Sequence, residues 1–315
     1  MTNRPVGVLV MSYGTPKSMD RIEAYYTHIR RGRPPTPEQL AELTARYAAI
    51  GGVFPLREHT DRQAAALEAR LERDHPGACR IYQGLKHAEP FIEDGVKAMA
   101  ADGVREAVGI VLAPHYSVMS VGSYIARARE AAEAEGIRMA FVESYHLHPK
   151  LIEAIAIRLR EALARFGGPE EQRRVKVLFS AHSLPERILS MGDPYVDQLM
   201  ATSRAAAEAA GVADWEFTWQ SAGRTNEPWL GPDILETLDR LAGEGVKAVL
   251  SAPIGFVSDH LEVLYDLDIE AKQFAAERGI RFERIGMLND DPLYIGALAE
   301  LVTKAAAGLA AGKRG

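Results

Sequence analysis

Short runs rich in β-branched and apolar residues alternate along the chain with longer stretches whose apolar positions recur at helical spacing. The short runs fall at residues 6–11, 80–83, 107–112 and 139–143, and again at 176–179, 216–219, 247–250 and 281–285. Near-continuous apolar strands separated by amphipathic helices predict parallel sheets with helices on both faces. The intervening stretches carry helix punctuation. Thr36-Pro37-Glu38-Gln39 reads as an N-cap, a proline at the first helical position and a capping-box partner. Gly136 and Gly167-Gly168 read as helix ends.

The pattern occurs twice, with local echoes. Gln83 and Glu89-Pro90-Phe91 match Gln220 and Glu227-Pro228-Trp229, and Leu112-Ala113-Pro114 matches Ser251-Ala252-Pro253. Met11-Ser12-Tyr13 before Pro16 matches Ser180-Ala181-His182 before Pro185. The last match is offset by 169 residues and the others by 137 to 139, so the first connection of the first half holds about 32 extra residues, within about 17–60. Extra chain after the first strand of such a sheet lies at its ligand end. The fold class expected is α/β: two Rossmann-like domains, 1–149 with the inserted segment and 150–315, each a parallel sheet flanked by helices. The last helix, about 292–311, is free by sequence to pack on the first domain.

A length of 315 residues suits two domains, and 47% hydrophobic with 25% charged residues is a globular composition. The net charge of −6 argues against nucleic acid as a partner. Cys79 is the single cysteine, which excludes a disulfide or a cysteine-ligated cluster within the chain. No stretch is expected to approach the ~18 apolar residues of a membrane span, and residues 6–11 are too short for a signal sequence. A cytoplasmic monomer without integral membrane contact is expected.

Candidate chemistry gathers at the carboxyl ends of the strands. Tyr13, Lys86, His87, His115, Tyr116 and His182 each follow a strand. Glu262, Asp266 and Glu270 are spaced i, i+4, i+8, which on an α-helix makes one acidic stripe with neighbours ~5–6 Å apart. Such a stripe serves either a solvated face or the handling of a divalent cation. Imidazole at His182 suits both proton transfer and ferrous iron, and Glu262 is the carboxylate the strand order brings near it. Arg30-Arg31-Gly32-Arg33 and Arg46-Tyr47 in the inserted segment suit a ligand bearing carboxylates. There is no dinucleotide fingerprint and no phosphate-binding loop.

These stretches together resemble the ferrochelatases over essentially the whole chain, most closely the compact bacterial type that acts on coproporphyrin III. The resemblance rests on residues 7–16 (GVLVMSYGTP), 25–33 (YYTHIRRGR), 46–52 (RYAAIGG), 84–92 (GLKHAEPFI), 112–117 (LAPHYS), 180–186 (SAHSLPE), 228–233 (PWLGPD) and 253–266 (PIGFVSDHLEVLYD). It implies a porphyrin cleft between the two domains and ferrous iron as the substrate metal, with no organic cofactor. His182 and Glu262 would be catalytic on one face of the macrocycle. Tyr13 would meet the iron from the other. Arg30, Arg46, Tyr47 and Tyr124 match positions lining the porphyrin and its propionates. Asp266 and Glu270 match a second metal site along the same helix as Glu262. Phe54 stands where some relatives carry a small polar residue that touches substrate. Two alternatives stay open: a protoporphyrin IX ferrochelatase, and a non-catalytic haem or porphyrin carrier, which would need neither the His182–Glu262 pair nor the stripe.

Overall fold

The computed structural model describes residues 5–223 and 225–311. The chain divides into two units, one of residues 1–145 with 289–315 and one of residues 146–288.

The first unit holds strands β1 (Val6–Ser12), β2 (Cys79–Leu85), β3 (Glu106–Val111) and β4 (Arg138–Val142) in the order β2-β1-β3-β4, all parallel. The second holds β5 (Lys176–His182), β6 (Trp215–Gln220), β7 (Ala248–Ala252) and β8 (Arg281–Arg284) in the order β6-β5-β7-β8. The same order in both sheets bears out the duplicated α/β architecture, and each predicted strand lies on an observed one. Strand β1 is buried along nearly its whole length, as a central strand covered on both faces must be. Leu9 and Met11 pack with Ile92, Val96, Met99, Val121 and Ile125, and Leu178 with Leu238, Leu241, Val249 and Val263. Each such side chain removed from water contributes roughly 1.5–3 kcal/mol.

The match of Met11-Ser12-Tyr13 with Ser180-Ala181-His182 keeps the register of the sheets, with Ser12 beside Leu85 and Ala181 beside Trp219, whereas the other two matches are out of register. The Leu85 N–H donates to the Pro90 carbonyl, and the Trp219 N–H to the Pro232 carbonyl. Helices follow at Ile92–Ala101 and Ile234–Gly243. Pro90 therefore corresponds to Pro232 and not to Pro228, because the loop after β6 is longer than that after β2 and its Glu-Pro pair is a local coincidence.

The inserted segment is helical. It contains Ile22–Ile29 and Pro37–Ala49, and leads into Pro55–Asp74. Thr36 caps Pro37–Ala49 as expected: the Gln39 N–H donates to Thr36 Oγ1 at 3.3 Å, and the Thr36 N–H to Gln39 Oε1 at 3.0 Å.

The chain does not divide once near residue 149, because residues 289–315 belong with the first unit. Helix Pro292–Ala311 buries Tyr294, Ile295, Leu298 and Val302 against Pro55–Asp74, β3 and β4. Tyr294 and Tyr145 share a hydroxyl–hydroxyl hydrogen bond of 3.0 Å inside that unit. Contrary to the expectation from sequence, this helix is by length and composition apolar enough to cross a membrane, its apolar run being interrupted by charge only at Glu300 and Lys304. Its buried residues are those of a core helix.

Candidate active site

His182 is the last residue of β5, and its backbone is held on several sides. The Tyr195 hydroxyl donates to the His182 carbonyl at 3.1 Å, and the Ser183 N–H donates to the Gln220 carbonyl at 2.8 Å. The loop after β7 crosses directly over β5 at Gly255. A Cβ there would sit 2.4 Å from the Ala181 Cβ, so only glycine lets the chain pass and deliver the segment that follows.

That segment brings Glu262 to His182, with Nε2 3.5 Å from Oε1. A third group joins them. His260 Nε2 lies 3.6 Å from the other oxygen, Glu262 Oε2. His182 Nδ1 bonds the Ser183 carbonyl and His260 Nδ1 the Ser258 carbonyl. A carbonyl can only accept, so each Nδ1 carries the hydrogen and each Nε2 is left to face the carboxylate. Burial opposes a charge on His182, but the Glu262 carboxylate outweighs it and pushes the imidazole up to about 9, with a smaller push from Asp266. Burial likewise works against the Glu262 carboxylate, yet His182 and His260 hold its pKa far below the usual range. Near neutral pH the pair is an imidazolium and a carboxylate.

His260 escaped the sequence reading because spacing rules apply within a helix, and His260 stands just outside one. It is the extended residue capping Leu261–Leu264. The acidic stripe also differs from expectation. Residues Asp266–Ala271 form a π-helix, in which the Glu270 N–H donates to the Tyr265 carbonyl at 2.9 Å. In an α-helix four residues overshoot a full turn by about 40°, and the wider π turn reverses that drift. Asp266 is 5% exposed and accepts a hydrogen bond from Ser221 Oγ, whereas Glu270 is exposed. Ser221 holds a left-handed φ of 59°, a conformation a non-glycine residue adopts only when its surroundings enforce it. Among the described residues no group of three or more histidine, cysteine, aspartate or glutamate side chains forms a ready metal cage. His182 and Glu262 thus form a close pair, with Asp266 buried and Glu270 exposed further along the same helical stretch.

In the first unit, Tyr13 follows β1 and is 41% exposed. Its ring lies 4.7 Å from that of His87, which shares an Nδ1–Nδ1 contact of 3.0 Å with His28. Burial, helped by Lys86 and His28, pushes His87 down to about 3, so it is a neutral imidazole. Lys86 stands 4.8 Å over the Tyr124 ring and donates to Ser123 Oγ at 2.7 Å. Burial, then Arg127 and Arg31, bring its ammonium down to about 8. Tyr124 is buried, which raises its phenol well above the usual value. Tyr47 is only 3% exposed. Its hydroxyl meets Thr15 Oγ1 at 3.1 Å and its ring packs 4.7 Å from Phe54, so the two aromatics form a wall. Arg30 lies 5.8 Å over the Tyr26 ring, and Arg46 pairs with Glu42 at 3.4 Å.

The same two-sheet architecture occurs in solved chelatase structures. SirB from Bacillus subtilis with Fe3+ matches with a TM-score of 0.61 at 14% identity, covering 98% of each chain. The sirohydrochlorin chelatase SirB from Bacillus subtilis subspecies spizizenii in complex with cobalt matches with a TM-score of 0.58 at 14% identity, covering 96% of each. At these identities the likeness concerns the fold, which is of the chelatase class. In sequence, the family model described as Ferrochelatase matches residues 5–306. A coproporphyrin III ferrochelatase of Geobacillus kaustophilus is 50% identical over 96% of this chain and 97% of its own length. A protein named ferrochelatase from Herpetosiphon aurantiacus is 48% identical over 94% and 97%. The chain belongs to the ferrochelatase family. It is an enzyme that inserts a metal ion into a porphyrin.

Proposed function

We propose that the protein inserts Fe2+ into coproporphyrin III, with His182 and Glu262 as the groups that take up the protons the metal displaces. The observation that carries this reading is the His182–Glu262–His260 set at the end of β5, in a chain about half identical to coproporphyrin III ferrochelatases over nearly their full length.

A free-base porphyrin has two pyrrole N–H groups, and both protons must leave as one divalent ion enters. The carboxylate of Glu262 stays ionised near neutral pH and is ready to accept one. His182 already carries a proton in that range, so it accepts another only after passing its own to solvent. Proton release from His182 is thus coupled to turnover, and its freed Nε2 can guide the incoming ion. Asp266 acts on this pair through its field and Glu270 offers an exposed oxygen ligand further along. Tyr13 is the second protein contact to the iron. Arg30 and Arg46 bind the propionates, while Tyr47, Phe54 and Tyr124 wall the macrocycle.

The test is anaerobic and optical. Purified protein receives Fe2+ with coproporphyrin III or with protoporphyrin IX, and the absorption spectrum is followed. Rapid metallation of coproporphyrin III alone is expected. A preference for protoporphyrin IX would overturn the substrate, and binding of both without metallation would make the protein a carrier.

Asp266→Asn should act more mildly than changes at His182 or Glu262. Its carboxylate bonds Ser221 and reaches His182 only through space. A fall in kcat of no more than about tenfold is expected, against the 10²–10⁴-fold typical of a proton-transfer group, with an altered ranking of Fe2+, Co2+ and Zn2+ as substrates. A loss as deep as that of His182→Ala would place Asp266 in the proton-accepting set instead.

A further inference from the structure

Residues 259–268 carry His260, Glu262 and Asp266, and contacts from outside the segment help fix its path. Leu261–Leu264 has no side-chain cap, and it runs through Tyr265 and the π turn Asp266–Ala271 into the short helix Lys272–Glu277. The π turn that follows has wide hydrogen-bond spacing. Val263 and Leu267 hold the segment to the core, Gln220 Nε2 donates to the Glu262 carbonyl at 3.4 Å, and a further polar constraint comes from β8. Arg284, the last residue of that strand, is largely buried. Its Nε donates to Asp268 Oδ1 at 2.8 Å and its Nη2 to Asp268 Oδ2 at 2.8 Å. Nη2 also reaches Asp259 Oδ1 at 3.1 Å, and Nη1 donates to the Ile285 carbonyl at 3.0 Å. One guanidinium therefore grips both ends of the segment, and ties them to the sheet.

We propose that Arg284 is a positioning residue for metal insertion: by clamping Asp259 and Asp268 it holds Glu262 at its bonding distance from His182. The inference rests on the reading of Glu262 as a proton acceptor. The planar fork is essential to it. A lysine supplies one point charge and cannot bond two oxygens of Asp268 and one of Asp259 in fixed directions. Misplacement of a reacting group by about 1 Å costs up to about 10²-fold in rate.

Arg284→Lys keeps the charge and tests the geometry. The expected result is a fall of roughly tenfold or more in kcat, with KM for coproporphyrin III within about twofold of the parent, since the propionate partners lie in the other unit. The ring-nitrogen NMR signals of His182 at pH 8 should also move toward those of neutral imidazole, because its carboxylate partner is displaced. Asp259→Asn removes one anchor and leaves the fork on Asp268, so it should shift both readouts in the same direction by less. A parental kcat in both variants, or His182 signals unmoved in both, would overturn the proposal, as would a rise in KM with kcat unchanged. Parent and Glu262→Gln are measured in the same series. A parent that inserts no iron would defeat the functional reading itself, whereas an active parent crippled by Glu262→Gln and indifferent to Arg284→Lys would defeat only the clamp.

Discussion

His182→Ala should lower kcat for iron insertion by about 10²–10⁴-fold, the range expected when a positioned proton-transfer group is removed, while coproporphyrin III still binds. The two effects separate because they draw on different residues. Propionate binding is assigned to Arg30 and Arg46, in the segment after β1, whereas His182 ends β5. The truncation leaves Glu262 paired with His260 alone, at 3.6 Å, so one acceptor of protons and one guide for the metal are lost together. Porphyrin binding is read from quenching or a shift of the porphyrin's own fluorescence, and insertion from the absorption bands of the metallated ring. Iron insertion at the parental rate in this variant would sink the central assignment.

Glu262→Gln should be comparably damaging, and it also has a signature in stability. His182 in the folded protein is raised above its ordinary value of 6.5 to about 9. The stability it gains from the pair is fully present below about pH 6.5 and is lost as pH rises through about 9. Glu262 is depressed, so its share of the same interaction is present above the ordinary carboxylate range and lost on acidification. The pair therefore stabilises the fold across neutral pH. In the glutamine variant only the Ser183 carbonyl and the Asp266 carboxylate still oppose burial at His182, so its titration should fall well below about 9. The Tm difference between parent and variant should be largest near pH 7 and shrink above pH 9. A difference independent of pH over that range would show that the pair is not ionic. Titration of the His182 ring signals by NMR gives the second check.

Much of the fold was legible because parallel strands are sandwiched between helices and must be apolar throughout. Runs such as Val6–Ser12 therefore stand out without any alternation to decode. Thr36 was equally plain, since a capping box is a local device. What escaped reading depends on distant partners or on departures from regular helix. Pro90 is matched to Pro232 by the N–H groups of Leu85 and Trp219 that bond their carbonyls, whereas similar letters pointed to Pro228. The return of Pro292–Ala311 to the first unit depends on which apolar face is unfilled, and Tyr294 meets Tyr145 across 149 residues. In the site, His182 and Glu262 were visible from strand ends and helix spacing. His260 was not, since it precedes the helix, and the π turn was not, since it follows from hydrogen bonds that skip a residue.

The discontinuity of the first unit has a consequence for biogenesis. Synthesis delivers the amino-terminal half first, and domains commonly fold in that order. Here the earlier half lacks a core helix until residues 289–311 have been made. The second unit, contiguous from 146 to 288, is complete sooner. A nascent chain stalled just after residue 288 would hold a finished second unit and an open sheet beside Pro55–Asp74, with apolar β3 and β4 surface awaiting its cover. Order of manufacture and order of completion are thus reversed, and the unit begun first is the one most exposed to chaperones and proteases.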